Sequence, residues 1–280
     1  MKRYLLVVFI SLRALQICAQ APNENMLAAA KTEIFAPVVQ VVTPGKNCNA
    51  KPSDAIYLFD GKVLDEWVLT NDTARKADWP VKNGAVTVKK TSGNIQTKRK
   101  FTDYQLHIEW LIPISYAKIK GAAADLYLQK KPGEGDAANT GQVRGNSGLF
   151  LASTGAGDAG YELQILDNYQ NATYVNGQAG SIYKQSAPLV NACRKPGEWQ
   201  CYDVLWKAPK FNADGSLKEP AYVTVLHNGV LIQNNFALLG ETVWIGAPFY
   251  RAHGASPIKL QSHGDASEPI SFRNIWVREL

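Results

Sequence analysis

The sequence predicts an all-β chain folded as an antiparallel sandwich or barrel, and three observations carry that expectation. Short runs rich in Val, Ile, Leu and aromatic residues recur from Ala55 to the last residue: IYLFD, GAVTV, YQLHIEW, LYLQ, SGLFLA, YELQIL, CYDVLW, YVTVL, VLIQN, PIKLQ and ISFRNIWV. Each run is closed by Gly, Asn, Asp or Pro, the chemistry of turns between short strands. Helical periodicity is scarce, with one short candidate over residues 24–35.

In chain order, residues 1–19 have the layout of an export signal. Lys2 and Arg3 precede the apolar stretch Tyr4 to Leu12, Arg13 is out of character, and Ala19 offers a small residue for cleavage. The stretch is too short to span a bilayer core of about 30 Å, and no later run is long enough. The expected location is therefore the periplasm or the extracellular space. A lipid anchor at Cys18 is the less favoured alternative, because Ile17 is larger than lipidation sites usually accept. Residues 20–52 carry Pro, Ala and Asn without a sustained period and read as an arm or linker. Residues 53–280 then fit one large β domain better than two small ones. Two hairpins can be named within it, at Lys82-Asn83-Gly84-Ala85 and at His227-Asn228-Gly229-Val230, since Asn-Gly supplies the two positive φ angles of a type I′ turn.

Removing the signal deletes Lys2, Arg3 and Arg13 and lowers the formal charge from +6 to +3. The remaining basic residues are dispersed, which excludes a nucleic-acid footprint. Of the four cysteines, Cys193 and Cys201 flank the turn signal RKPGEW, and export favours their oxidation, so a disulfide is expected there. Cys48 is then left over in the arm. No CxxC, HExxH or clustered His/Cys spacing points to a structural zinc site. Carboxylate, amide and imidazole groups could hold a divalent metal ion, yet no spacing demands one.

The most informative segment is YELQILD, Tyr161 to Asp167. On a strand, Glu162, Gln164 and Leu166 share one face, while Tyr161, Leu163 and Ile165 share the other. A carboxylate and an amide thus oppose an apolar face, and Asp167 joins them only if a bulge intervenes. The C-terminal run repeats the theme, with Ile258 and Leu260 alternating with Lys259, Gln261 and His263. A solvated outer face would show the same alternation. Further polar candidates are Arg144, Asn146 and Ser147 ahead of SGLFL, Tyr183, Lys184 and Gln185 in a long connection, and His253 in a loop. Trp67, Trp79 and Trp244 suit sugar stacking, although most tryptophans serve the core.

The strings LFDGKVLDEW, GNSG, YELQILDNY, GQAGSIYKQSAPLVNACRKPGEWQCYD, VTVLHNGVLIQNN, PIKLQSHG and FRNIWVREL, in that order, resemble the 3-keto-disaccharide hydrolase domain family. The resemblance implies a concanavalin A-like jelly-roll β-sandwich of two antiparallel sheets whose concave face binds sugar. It further implies cleavage of glycosides already oxidised to a ketone at C3. Glu162, Gln164 and Asp167 occupy the family's YExQxLD strand, and Gln261 and His263 its LQxHG strand. By this resemblance Glu162 acts as base or metal ligand and His263 as its acid/base partner. Asp167 is a further catalytic candidate, and Lys184 or Arg144 contacts an oxyanion or hydroxyl. Asn146, Gln164, Gln261, His253 and Tyr183 are the expected substrate contacts, with an oxidised sugar or glycoside as the partner. Three stretches depart from the family pattern: Thr154 to Ala159, Thr242 to His253, and Ala266 to Glu268. An ordinary retaining glycosidase and a noncatalytic sugar-binding module on the same scaffold are the alternatives.

Overall fold

A computed structural model describes residues 23–113, 145–169, 173–264 and 269–280. The export signal with Cys18, the LYLQ run, Arg144 and the Ala266 to Glu268 insertion lie outside the described residues. Among the described residues no helix is long and apolar enough to cross a membrane.

The described residues fall into two units, divided between residues 41 and 42. The first holds a single helix, α1 (Glu24–Ala30), inside the stretch expected to be helical. Asn23 caps it, its Oδ1 accepting from the Met26 amide at 2.9 Å, so the first turn's amides are not all orphaned.

The second unit is the sandwich. Its strands are β1 (Ile56–Phe59), β2 (Trp67–Leu69), β3 (Asp72–Lys76), β4 (Val81–Lys82), β5 (Ala85–Thr87), β6 (Ile95–Thr97), β7 (Tyr104–Leu111), β8 (Asn146–Ser153), β9 (Gly160–Leu166), β10 (Trp199–Lys207), β11 (Lys210–Phe211), β12 (Leu217–Glu219), β13 (Tyr222–His227), β14 (Val230–Ala237), β15 (Lys259–Leu260) and β16 (Ser271–Glu279). One sheet runs β14-β13-β10-β7-β16-β5-β4, with β1 also on β16, and the other runs β3-β2-β6-β15-β8-β9. The pairing is antiparallel throughout, as in the predicted jelly roll. Both Asn-Gly turns form as expected, with φ of 53° at Asn83 and Asn228 and of 77° and 81° at the following glycines.

Alternation sends Tyr104, Leu106, Ile108 and Trp110 of β7 and Tyr202, Val204 and Trp206 of β10 into one core with Leu149, Leu151, Tyr161, Leu163 and Ile165. Each large apolar side chain buried there is worth roughly 1.5–3 kcal/mol. Two tyrosines also bolt the sheets together. Tyr104 donates to the Leu151 carbonyl at 2.6 Å and Tyr202 to the Gln164 carbonyl at 2.8 Å, which satisfies both hydroxyls in an apolar setting.

The arm expected over residues 20–52 is divided, because residues 42–52 belong to the sandwich unit. The Asn49 carbonyl accepts from Asn274 Nδ2 at 2.9 Å and from the Trp276 indole at 3.0 Å, and Thr43 and Ser53 exchange hydrogen bonds.

The expected Cys193–Cys201 disulfide is absent. Tyr202 and Val204 of β10 face the core, so Cys201 points to the outside of that sheet, near Asp203 and Glu109. Cys193 packs against the core, on the side of Tyr202. The two thiols thus lie on different sides of β10, and both are free. The turn is held instead by polar bonds: the Arg194 amide to Gln200 Oε1 (2.9 Å) and Asn228 Nδ2 to the Ala192 carbonyl (2.8 Å). Protein purified without reductant will therefore show the same mass and melting temperature with and without reductant. A mass lower by two hydrogens that reductant restores would contradict this.

Candidate functional site

Strand register assembles the site. Glu162 on β9 pairs with Phe150 on β8, Phe150 with Lys259 on β15, and Lys259 with Gln96 on β6. Directly paired residues share a face, so these four form one row across the sheet, opposite the core. A bridge between Leu163 and Ile182 adds the connection after β9 to the edge of the sheet, and the Tyr183 amide donates to the Glu162 carbonyl at 3.1 Å. Tyr183 thereby becomes the next member of the row beside Glu162. A second row runs through Ser181, Gln164, Gly148 and Gln261, fixed by the Gln164 amide on the Ser181 carbonyl and the Gln261 amide on the Gly148 carbonyl, both 2.9 Å. Asn146 follows Gly148 on the same face at the start of β8.

A solvated outer face would leave these side chains wet, and it does not describe them. Every residue of β9 is buried, as are Lys259 and Gln261. This face is a largely buried polar surface, where each charged or amide group is costly unless it is paired or used.

Glu162 is the group that stands out. It is 6% exposed, and its carboxylate makes no hydrogen bond among the described residues. Burial pushes its pKa from 4.5 up to about 8, with a contribution from the negative charge of Asp158, while Lys259 pulls the other way. Gly148 makes the space it occupies. A β-carbon on Gly148 would collide with Glu162 Oε1 and lie 3.0 Å from its Cδ, so the carboxylate rests on bare backbone of the neighbouring strand. Its strand is anchored along the edge as well. The Glu162 amide donates to Thr242 Oγ1 at 3.0 Å, and the Thr242 amide donates to the Gly160 carbonyl at 2.8 Å.

The other expected site residues divide by face. Gln164, Gln261, Asn146 and Tyr183 share a face of the sheet with Glu162. Tyr183 accepts a 2.7 Å hydrogen bond from the Tyr174 hydroxyl, which orients it. His263 lies half-buried two residues beyond Gln261, where Ser262 is tied to Asn94 Oδ1 at 2.7 Å. Asp167 is buried just past β9, and its Oδ1 accepts from the Tyr169 amide at 3.2 Å. Four residues separate it from Glu162, roughly 16 Å between α-carbons at the rise of an extended strand. Lys184 is exposed at φ 59° and donates to the Trp244 carbonyl at 2.6 Å.

His253 is not on this face. Its Nε2 lies 3.0 Å from the hydroxyl of Tyr161, a core-facing residue, and its ring packs on Phe211 and Tyr161. A loop residue can meet either side of an edge strand, and the aromatic cluster decides this one. Trp67 and Trp79 are core residues, their indoles donating to the Leu58 and Gly93 carbonyls, whereas Trp244 is 74% exposed.

Lys259 is the residue whose importance the sequence does not signal beyond its parity. It is fully buried, and its ammonium donates to the carbonyls of Gly155 (3.0 Å), Gly157 (2.9 Å) and Ala159 (2.8 Å). Burial lowers its pKa from 10.5 to about 8, against the opposing pull of Asp158, Glu241 and Glu162. Among the described residues no three of His, Cys, Asp and Glu converge on a point that could hold a metal ion.

A crystal structure from Parabacteroides distasonis, of a protein named a "putative glycosyl hydrolase", is 50% identical with a TM-score of 0.74, covering 90% of this chain and 96% of its own. A second structure under the same name from that organism has 18% identity, a TM-score of 0.54 and coverage of 81% and 94%, and shares the fold. The curated proteins contain no match. Residues 54–278 match the 3-keto-alpha-glucoside-1,2-lyase-like domain, and the chain belongs to that family.

Proposed function

We propose that this protein cleaves 3-keto-glycosides or 3-keto-disaccharides outside the cytoplasm, by removing the C2 proton, eliminating the C1 substituent and adding water. The observation that carries the reading is the buried Glu162 carboxylate, cradled on Gly148 without a hydrogen-bond partner among the described residues and raised to a pKa of about 8. A carboxylate with a raised pKa is a stronger base than an ordinary one, and C–H abstraction requires such a base.

A ketone at C3 acidifies the C2 proton. Glu162 takes that proton and the electron pair passes into the C3 enolate. When the enolate collapses, the C1–O bond breaks and a C1=C2 double bond forms. The departing oxygen takes up a proton, for which His263 at the rim is the candidate donor. Water then adds at C1 and a proton returns to C2. Tyr183, oriented by Tyr174, and the amides of Gln164 and Gln261 are the donors that could steady the C3 oxygen and ring hydroxyls. Conventional hydrolysis instead requires two carboxylates about 5 Å apart for retention or roughly 6.5–9.5 Å for inversion.

The test is to offer the mature protein a 3-keto-glucoside and its unoxidised parent. The expected result is release of the aglycone from the keto form alone. Cleavage of the parent at a comparable rate would overturn the reading in favour of conventional hydrolysis. Saturable binding without turnover of either compound would overturn it in favour of a sugar-binding module.

A further inference from the structure

Lys259 presents an arrangement that the proposed chemistry does not use. The carbonyls of Gly155, Gly157 and Ala159, alternate residues of one turn, converge on a single point, and the Lys259 ammonium fills it with one hydrogen bond to each at 2.8–3.0 Å. An ammonium has three donors and no acceptor, so this set satisfies it completely. The Phe150 ring closes the remaining side, its centroid 4.9 Å from Nζ. Inward-turned carbonyls of this kind are how a protein backbone replaces the hydration shell of a monovalent cation. Here the cation is attached to β15.

The turn so gathered leads directly into β9. Asn94 holds it from the other side, Nδ2 donating to the Gly157 carbonyl and to Asp158 Oδ1, both at 2.9 Å. Thr154 Oγ1 joins it to the buried Glu241 at 2.6 Å. The charges facing the ammonium are those of Asp158, Glu241 and Glu162. Without the ammonium, each of the three carbonyls would lose one hydrogen bond, and the turn would lose the group that draws all three to one point.

We infer that Lys259 is a positioning residue, a tethered cation that folds the 154–159 turn and sets a positive charge on the same face as the Glu162 carboxylate. It does not touch substrate. The inference rests on Glu162 being the reacting group of the proposed activity. Its test is therefore read first on Glu162 itself, without substrate, so that a failure of the proposed activity and a failure of this inference are told apart.

The full mature chain carrying Lys259→Ala, labelled with ¹³C at glutamate carboxyls, is titrated with and without ethylammonium chloride, and Glu162 is assigned by its loss in Glu162→Gln. In Lys259→Ala the Glu162 midpoint is expected to move above that of the wild type, and ethylammonium is expected to bring it back. Tetramethylammonium, of equal charge but with no N–H donor, is expected to leave it displaced. Turnover of a 3-keto-glucoside is expected to fall about 100-fold and to recover with ethylammonium alone. A Glu162 midpoint unchanged by the substitution, or equal responses to both salts, would overturn the inference. If Lys259→Ala does not fold, the wild type decides the question. A ¹⁵N spectrum should then show the Lys259 ammonium protons in slow exchange with water, and rapid exchange like that of exposed lysines would sink the idea.

Discussion

Glu162→Gln is expected to lower turnover of a 3-keto-glycoside by about 10³-fold, within the range seen when a positioned general base is lost. The amide keeps the size of the side chain and its place over Gly148 but cannot accept the C2 proton. Binding should survive, so the loss falls on kcat and leaves KM close to wild type. The same substitution is expected to stabilise the fold, because the protein bears the cost of a buried charge that makes no hydrogen bond. The Glu162 pKa is raised in the folded state, from 4.5 to about 8. The folded protein therefore holds an extra proton between those values, and stability associated with Glu162 is full below pH 4.5 and lost as pH rises toward 8. Glu162→Gln has no such loss. Its advantage over the wild type should be small at pH 4 and grow through that window. The rise from 4.5 to about 8 sets a ceiling on the order of 5 kcal/mol. Denaturant melts of both proteins at pH 4, 6 and 8.5 measure the difference. A gap that shrinks as pH rises would mean that Glu162 is solvated or paired. The wild-type rate should climb through pH 8 as the carboxylate ionises.

Gly148→Ala is expected to have the second largest effect. The backbone there is ordinary strand, and alanine is tolerated in a strand better than glycine. The cost comes from the β-carbon, which would collide with Glu162 Oε1. The carboxylate must swing aside, and a displacement of about 1 Å in a catalytic group costs about 100-fold in rate. Overpacking should destabilise the fold by about 1–3 kcal/mol. In the Glu162→Gln background the added methyl should cost almost no further activity, since the group it displaces no longer reacts. Independent, multiplying losses in the double variant would show that Gly148 acts by some other route.

The strand pattern was legible because it is local. Alternation over six or seven residues identifies β7, β9, β10 and β13, and both Asn-Gly turns form where two positive φ angles were required. The parity of Glu162, Gln164 and Gln261 was legible for the same reason. What parity cannot tell is which face is covered, or what lies across the sheet. Lys259 reaches carbonyls about a hundred positions earlier in the chain, so no window of sequence contains both partners. Phe150 and Gly148 look like ordinary strand residues until register sets one beside Glu162 and the other beneath its carboxylate. Cys193 and Cys201 are close in sequence and flank a turn, yet Cys201 points away from the core on β10 while Cys193, in the loop before it, packs against the core. His253 shows the same limit, since nothing in its own loop specifies the Tyr161 hydroxyl as its partner.

Isotope transfer from solvent is the most direct check on the base assigned to Glu162. Turnover of a 3-keto-glucoside in D₂O should place one deuterium at C2 of the released sugar, faster than the uncatalysed exchange, and Glu162→Gln should abolish that excess. Product formed at the full enzymatic rate with protium retained at C2 would contradict proton abstraction and leave the buried carboxylate without the role given to it.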